Sequence, residues 1–234
     1  MGHIYRDHQQ LRPQNAVHAL SEQHFLNVSL FERLVRNELP FTRLSHQRRM
    51  RPEIRMLIDP IYSDPPLRDH PDVMKRHAIR GIDESVFFLS HNEAESSVAD
   101  TASKTNEHEA MMAAKLSTYL LLQGYLPEDI TIITMYSGQK SLIKRLLRAE
   151  RRPDLDPTII HVSSVDGYQG EENKIIILSL VRSNAAGQIG FLKVANRVCV
   201  ALSRAKEVRI IWFLFCFSFL FLLEEEHNYP SHTY

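Results

Sequence analysis

The sequence predicts an α/β fold, a parallel sheet that helices cover on both faces (doubly wound). Short runs at residues 86–89, 130–134 and 175–180 are apolar almost throughout. Such runs are typical of strands buried on both faces, and helical stretches separate them. The chain has 234 residues, of which 44% are hydrophobic, enough to bury the core of one ordinary domain.

The first elements are helical. Ser29 and Glu32 have the spacing of a capping box and start a helix that runs through Asn37. A short helix opens at Pro52, because proline is favoured in the first helical turn. Residues 64–71 are rich in proline and aspartate and predict a loop.

From residue 85 onward, short apolar runs alternate with helical stretches. In order, we predict a strand at 86–89, a helix at 107–122, a strand at 130–134, a basic amphipathic helix at 141–149, strands at 159–162 and 175–180, and a helix at 196–202. Gly124 is expected to end the long helix, because glycine readily takes the left-handed conformation found there.

The charges balance overall but are unevenly spread. Lys and Arg number 28, and so do Asp and Glu. Residues 1–82 carry a net charge of +4, residues 83–130 carry −7, residues 131–223 carry +6 and residues 224–234 carry −3. Because phosphate binding depends on local charge, two basic blocks are compatible with a nucleic-acid groove. Ordinary solvated surface charge is the alternative.

The composition excludes several classes of protein. Cys199 and Cys216 are the only cysteines, so neither a disulfide framework nor a Cys-rich zinc module is available. The histidines show no clustered ligand spacing, and no metal site is predicted. No signal peptide is recognisable at the N-terminus.

Residues 210–223 carry no charge, but a helix needs about 20 residues to span a bilayer. A buried strand that runs into an off-pattern tail is favoured, and a tail anchor is the alternative. A membrane partner is not expected, and the expected location is the cytoplasm or the nucleus.

Two kinds of polar segment indicate a site. The loop after residue 162 combines the hydroxyls of Ser163 and Ser164 with glycines that allow a close backbone approach. We expect ligands there, because open α/β sheets bind them beyond the carboxyl ends of strands. Basic clusters at 47–52 and 197–206 supply arginines, which grip two phosphate oxygens at once.

Five segments resemble the later motifs of superfamily 1 helicases and occur in the same order. They are DHQQLRP at 7–13, LSHQRRMRP at 44–52, IITMYSGQ at 132–139, SVDGYQGEE at 164–172 and VALSRAK at 200–206. The branch they resemble most is that of the nonsense-mediated-decay (DNA2/NAM7-like) RNA helicases. Within it, the resemblance is strongest to NFX-type zinc-finger helicases of RNA silencing and antiviral defence. The likeness covers residues 6–212.

The resemblance implies a RecA-like domain, the second of two that close around ATP and Mg²⁺. Arg49 and Arg204 match the arginine fingers, which stabilise the charge of the departing phosphoryl group. Gln10 matches the residue that senses the γ-phosphate. These three residues are the candidate catalytic set.

Further roles follow from the same motif matches. The candidate nucleotide-binding residues are Asp7, Gln47, Gln169, Gly170 and Glu172. The candidate residues that contact or support the nucleic-acid backbone are Thr134, Tyr136, Ser164 and Asp166. Backbone contacts carry little sequence information, as a translocating motor requires. RNA is the expected partner, and DNA is the alternative.

The motif order also predicts how the chain is divided. Residues 1–15 are expected to be a remnant of the first RecA-like domain, residues 16–212 the second domain, and residues 213–234 an off-pattern tail. No G-x-x-x-x-G-K-[ST] loop occurs in the sequence. We therefore expect the first domain to hold the magnesium ligands, and this chain alone to be inactive. A non-catalytic module that binds RNA or a partner, possibly held at a membrane by its tail, is the rival hypothesis.

Overall fold

The computed structural model describes residues 7–13, 18–99 and 101–214. Its centre is a five-stranded sheet, in which every neighbouring pair of strands is parallel. In chain order the strands are β1 (Val86–His91), β2 (Ile130–Thr134), β3 (His161–Ser164), β4 (Asn173–Ser179) and β5 (Ala205–Leu214). Their order across the sheet is β1-β5-β4-β2-β3. Strands β1 and β3 therefore form its edges.

The described part of the chain contains six α-helices. They are α1 (His18–His24), α2 (Leu30–Arg36), α3 (Pro52–Arg55), α4 (Glu107–Leu122), α5 (Ser137–Ala149) and α6 (Ala195–Leu202). Single 3-10 turns lie at Met56–Ile58, Pro71–Lys75, Pro127–Asp129, Pro157–Ile159, Asp166–Tyr168 and Gly190–Lys193. Two-residue strands pair His46–Gln47 with Arg68–Asp69, and Ser96–Ser97 with Lys104–Thr105.

Both faces of the central strands are covered, and their apolar side chains point alternately to opposite sides of the sheet. On one face, α4 and α5 pack against Ile132 of β2 and Ile177 of β4. On the other, α3 and α6 pack against Ile133 and Ile176. The predicted doubly wound α/β architecture is confirmed.

Most predicted elements are confirmed. Ser29 caps α2, with its hydroxyl accepting a hydrogen bond from the backbone N–H of Glu32 at 3.1 Å. The long helix α4 has the predicted bounds, and Gly124 follows it with a left-handed φ of +91°. The central apolar strands β2 and β4 lie where the apolar runs predicted them.

The starts of α5 and β3 differ from the prediction. Helix α5 begins at Ser137 instead of residue 141, because its first turn is held by tertiary contacts and not by amphipathic spacing. Gly138 donates its N–H to Ser103, and the Gln139 side chain is buried. Strand β3 begins two residues later than predicted, because Pro157 opens a 3-10 turn.

The predicted strand at residue 210 is confirmed as part of β5. Residues 215–234, and with them most of the predicted tail, lie outside the described residues. No helix among the described residues is long and apolar enough to cross a membrane. The division at residues 15 and 212 remains a prediction.

One prediction follows from the packing of α6. Cys199 is fully buried, and burial raises the pKa of its thiol to about 12, so almost no thiolate forms near pH 8. In a Cys216→Ser variant, we expect Cys199 to react with a disulfide reagent only after denaturation. Labelling of the native variant within minutes would contradict this packing. The unmodified chain, unfolded in denaturant, has two reactive thiols and calibrates the assay.

Candidate functional site

The amino ends of β4 and β5 bring basic and acidic side chains together. Glu172 immediately precedes β4, Arg204 immediately precedes β5, and these strands are neighbours. The N–H of Asn173 donates to the carbonyl of Arg204 at 3.1 Å and joins the two strand starts. With Arg49 and Lys206, these residues form what we call the arginine cluster: Arg49, Glu172, Arg204 and Lys206.

Gln47 shapes the loop that presents Arg49. Its side-chain carbonyl accepts hydrogen bonds from the backbone N–H groups of Arg49 at 2.9 Å and Met50 at 2.8 Å. Its amide donates to the Met50 carbonyl at 2.7 Å and to Asp69 at 2.6 Å. Both ends of the Gln47 amide are thus engaged within the fold, and the residue positions Arg49.

Arg49 reaches across to the strand starts. Its guanidinium forms an ion pair with the Glu172 carboxylate and donates to the Ser203 carbonyl at 3.0 Å. Lys206 approaches the other Glu172 oxygen at 2.9 Å. Burial favours the neutral acid, but hydrogen bonds from Arg49 and Lys206 outweigh it and keep the pKa of Glu172 below its usual value. The Arg49 side chain is 27% exposed and accessible to a ligand.

Arg204 has a different environment, because it is only 1% exposed. Its guanidinium donates to the Val200 carbonyl at 3.1 Å, to the Ser203 hydroxyl at 2.8 Å and to the Gln10 side chain at 3.2 Å. Burial, followed by repulsion from Arg49, lowers the pKa of Arg204 to about 10. An anion bound beside both arginines would relieve this repulsion.

The segment of residues 7–13 lies against α6 and closes the cluster from one side. Asn196 of α6 donates to the carbonyls of His8 at 3.1 Å and Gln10 at 2.8 Å. The Asp7 carboxylate accepts hydrogen bonds from the Gln10 amide at 2.9 Å and the Tyr62 hydroxyl at 2.5 Å. The structure therefore brings the predicted residues Asp7 and Gln10 to Arg204.

The cluster lies at the amino edge of the sheet, whereas the loop after residue 162, where we expected ligands, begins at the carboxyl edge. The reason is the loop of residues 165–172, which leaves β3 at the carboxyl edge. Strand β4 is parallel to the rest of the sheet, so this loop must return to the opposite edge before β4 begins. It thereby carries Glu172 away from Ser164.

The same loop holds two further predicted residues. Gly170 has a φ of +85°, a conformation that favours glycine, so its role is to turn the chain. Gln169 is exposed beside it. Neither residue belongs to the arginine cluster.

The predicted nucleic-acid residues lie at the carboxyl edge, and two of them are buried. Thr134 is 0% exposed, and its hydroxyl has no hydrogen-bond partner among the described residues. Tyr136 is 4% exposed and packs its ring on Phe191, with centroids 5.1 Å apart. Ser164 is partly exposed and accepts the N–H of Gly167 at 3.2 Å. Thr134 and Tyr136 are in a position to support this edge.

Asp166 is partly exposed and pairs with Arg197 at 3.1 Å. The Arg197 guanidinium also lies 4.6 Å from the centroid of the Phe191 ring, in a cation–π contact. Sequence reasoning missed Phe191 and its neighbour Arg182, whose guanidinium lies 3.4 Å from the Tyr136 hydroxyl. The available signal for Arg182 was its position soon after the carboxyl end of a predicted strand.

A buried polar network supports the carboxyl edge from within. The Glu109 carboxylate is 0% exposed and accepts hydrogen bonds from the backbone N–H of Val181 at 3.0 Å and the Ser179 hydroxyl at 2.6 Å. His91 lies 3.1 Å from its other oxygen. The Gln139 amide donates to the Ser179 hydroxyl at 3.0 Å and extends the network to α5.

The donor set fits a phosphate ligand better than a metal ion. The arginine cluster offers two guanidinium groups and an ammonium group, and its one carboxylate is committed to Arg49 and Lys206. No group of three His, Cys, Asp or Glu side chains converges anywhere in residues 7–13, 18–99 and 101–214. The part of the chain that is described thus provides cations for phosphate oxygens, and it provides no such group for Mg²⁺.

Comparisons with known proteins give a consistent result. The model of the AAA domain family matches residues 26–212. Over 202 residues, 86% of this chain, the sequence is 50% identical to the NFX1-type zinc finger-containing protein 1 of Mus musculus, of which the match covers 10%. It is 45% identical to the helicase required for RNAi-mediated heterochromatin assembly 1 of Schizosaccharomyces pombe, covering 86% of this chain and 20% of that protein.

The chain is also similar to the ATP-dependent helicase NAM7 of Saccharomyces cerevisiae, with 35% identity over 86% of this chain and 21% of that helicase. It thus spans between 10% and 21% of the length of these three relatives.

Proposed function

Because the chain belongs to the AAA-domain family of superfamily 1 helicases, we propose that it is the C-terminal motor half of an ATP-dependent RNA helicase. In this proposal it supplies arginine fingers to ATP at one edge of its sheet and part of the RNA-binding groove at the other. The observation that carries the proposal is the arginine cluster.

The arginine cluster supports the nucleotide role by its charge and by its accessible member. When bound, ATP supplies the phosphoryl group whose transfer drives the motor, and positive charge stabilises that transfer. Arg49 is the exposed finger and would exchange Glu172 for phosphate oxygens. Lys206 remains as the partner of Glu172 after this exchange, so the carboxylate is not left unpaired.

Gln10 supports a link between nucleotide and domain closure. It accepts a hydrogen bond from Arg204 at 3.2 Å, and Arg204 is buried beneath it. A γ-phosphate oxygen bound here would replace the Gln10 side-chain carbonyl as the acceptor of this Arg204 N–H. Asp7 would hold Gln10 in place during the exchange through its 2.9 Å contact with the amide.

The carboxyl edge supports the nucleic-acid role. Ser164 and Asp166 are partly exposed there, and buried Thr134 and Tyr136 fix the backbone around them. RNA is favoured over DNA because one relative is named for RNAi-mediated heterochromatin assembly. This reading also fits action in the nucleus or the cytoplasm.

A direct test uses the chain alone and joined to a partner domain. We expect the isolated chain to show no ATP turnover and only weak, salt-sensitive binding to single-stranded RNA. A two-domain fusion, with a first RecA-like domain from an ATP-dependent helicase of this family joined before Asp7, should recover RNA-stimulated turnover. Phosphate release is measured with oligouridylate and with oligothymidylate, which separates an RNA from a DNA motor.

Three outcomes would contradict the proposal. Robust turnover by the isolated chain would require a phosphate-binding loop that its sequence lacks. Stronger stimulation by oligothymidylate would make DNA the substrate. RNA binding without any turnover in the fusion would favour the non-catalytic module.

A further inference from the structure

A groove lies between α5 and the edge strand β3, outside the two sites described above. It has a volume of about 540 Å³. Its lining includes Lys140, Lys144, Arg148 and His161, and it includes no Asp or Glu. The basic amphipathic character of α5 is part of the sequence pattern that the proposed function leaves unexplained. We call this feature the α5 groove, defined by Lys140, Lys144, Arg148, His161 and Ser163.

The three cations of the α5 groove form a regular row. Lys140, Lys144 and Arg148 are four residues apart, so successive side chains lie about 6 Å apart along the same side of the helix. None of the three side chains makes a hydrogen bond or ion pair with a residue of the described ranges. Ile143 and Leu147 of the same helix pack into the core, which fixes the row beside β3.

The floor of the groove offers little apolar surface to a partner. Leu147, Ile160 and Val162 line it, but each is at most 4% exposed. Ile159 is the exposed apolar residue of the lining, at 65%. The hydroxyls of Thr158 and Ser163 complete the lining. Recognition here is therefore polar and positive, as in phosphate-backbone contacts and unlike an apolar protein interface.

We propose that the α5 groove binds the phosphate backbone of single-stranded nucleic acid as it leaves the carboxyl edge of the sheet. This proposal rests on the proposed function. It is carried by continuity as well as by charge, because Tyr136 immediately precedes α5 and Ser163 adjoins Ser164. A nucleic-acid strand bound at the predicted contact residues therefore leads directly to the row of basic side chains.

The direction of the row of basic side chains gives the path of the nucleic-acid strand. From Lys140 to Arg148 the helix rises about 12 Å, away from the carboxyl edge and alongside β3. Each cation contacts one phosphate, and no base is read, so binding is independent of sequence. The groove lengthens the occluded site by a few nucleotides.

The test compares two charge-matched variants of the whole chain. The groove variant combines Lys140→Gln, Lys144→Gln and Arg148→Gln. The control combines Lys115→Gln, Arg145→Gln and Arg152→Gln, which are exposed and make no ion pair with any described residue. Binding of fluorescein-labelled oligouridylate and oligothymidylate, each of about 20 nucleotides, is followed by fluorescence anisotropy over a salt series.

We expect the groove variant to bind about tenfold more weakly near 0.1 M salt, while the control stays within about twofold of the unmodified chain. The magnitude of the negative slope of log affinity against log salt should decrease by about 2, since each lost single-strand contact removes about 0.7. Lys144→Gln alone should decrease this magnitude by about 0.7, which preserves the test if the triple variant is unstable.

The outcomes separate this proposal from the function on which it rests. If the groove variant matches the control while the unmodified chain binds, the α5 groove proposal is overturned and the proposed function stands. If the unmodified chain binds neither oligonucleotide, both fall. If polyglutamate displaces the oligonucleotide only from chains with an intact groove, and does so better than unlabelled oligothymidylate, the groove serves an acidic protein and the proposal is again overturned.

Discussion

Replacing Arg49 by alanine in the two-domain fusion is expected to lower ATP turnover on the order of 10³-fold or more. The side chain is partly exposed, and the Gln47 amide holds its loop in place, so a bound phosphate meets a positioned guanidinium. Without it, negative charge on the departing phosphoryl group lacks a partner in a site that excludes water. The KM for ATP should change much less than kcat, because this contact strengthens in the transition state.

Arg51→Ala is the matched control, two residues away in the same loop. Arg51 pairs with Glu53 at 3.4 Å and donates to the His77 carbonyl at 3.3 Å, outside the arginine cluster. Its loss should leave kcat within a few-fold of the unmodified fusion. Equal losses for Arg49→Ala and Arg51→Ala would show a general effect on the loop and would remove the finger role. Arg49→Lys should recover only a small part of the rate, because lysine lacks the bidentate fork.

Replacing Glu109 by alanine is expected to lower the free energy of unfolding by about 3–5 kcal/mol. The carboxylate is fully buried, and its removal leaves the Val181 N–H, the Ser179 hydroxyl and the His91 ring without their acceptor. Since a domain of this size is stable by about 5–15 kcal/mol, the loss is a large share of the total. Urea unfolding followed by circular dichroism measures it.

The control lies two residues earlier on the same helix. Glu107 is exposed in the first turn of α4, and Glu107→Ala should change stability by no more than about 0.5 kcal/mol. Glu109→Gln keeps the size and one acceptor and should fall between the two. If Glu109→Ala unfolded at the same urea concentration as Glu107→Ala, the network would contribute nothing to stability.

The fold was largely predictable from the sequence because its central strands are apolar on both faces. Strand β2 and helix α4 have their predicted bounds, since periodicity and burial agree there. The start of α5 was missed, because Gln139 in its first turn is polar yet 0% exposed. Its contacts with Asn106 and Ser179 explain its burial, and no local pattern shows partners 33 and 40 residues away.

The site was predictable in its membership more than in its arrangement. Motif order identified Arg49, Arg204 and Glu172, which the fold does bring together. It did not show that Gln47 acts on the Arg49 loop or that Tyr136 is buried. These properties depend on tertiary packing, which a motif does not encode.

The loop of residues 165–172 has a mechanical consequence. The strand register puts Ser164 level with Ser179, at the carboxyl ends of their strands. The loop must therefore run back along the whole length of β4, about 20 Å, and cross β2. Part of its length is taken up by the tight turn at Asp166–Tyr168, which leaves a contour of about 26 Å for a span of about 22 Å. Arg197 holds the end of the loop next to β3 through its ion pair with Asp166. Arg49 and Lys206 hold the end next to β4 through their ion pairs with Glu172. Because the loop is nearly fully extended, a displacement at one edge of the sheet is transmitted to the other edge.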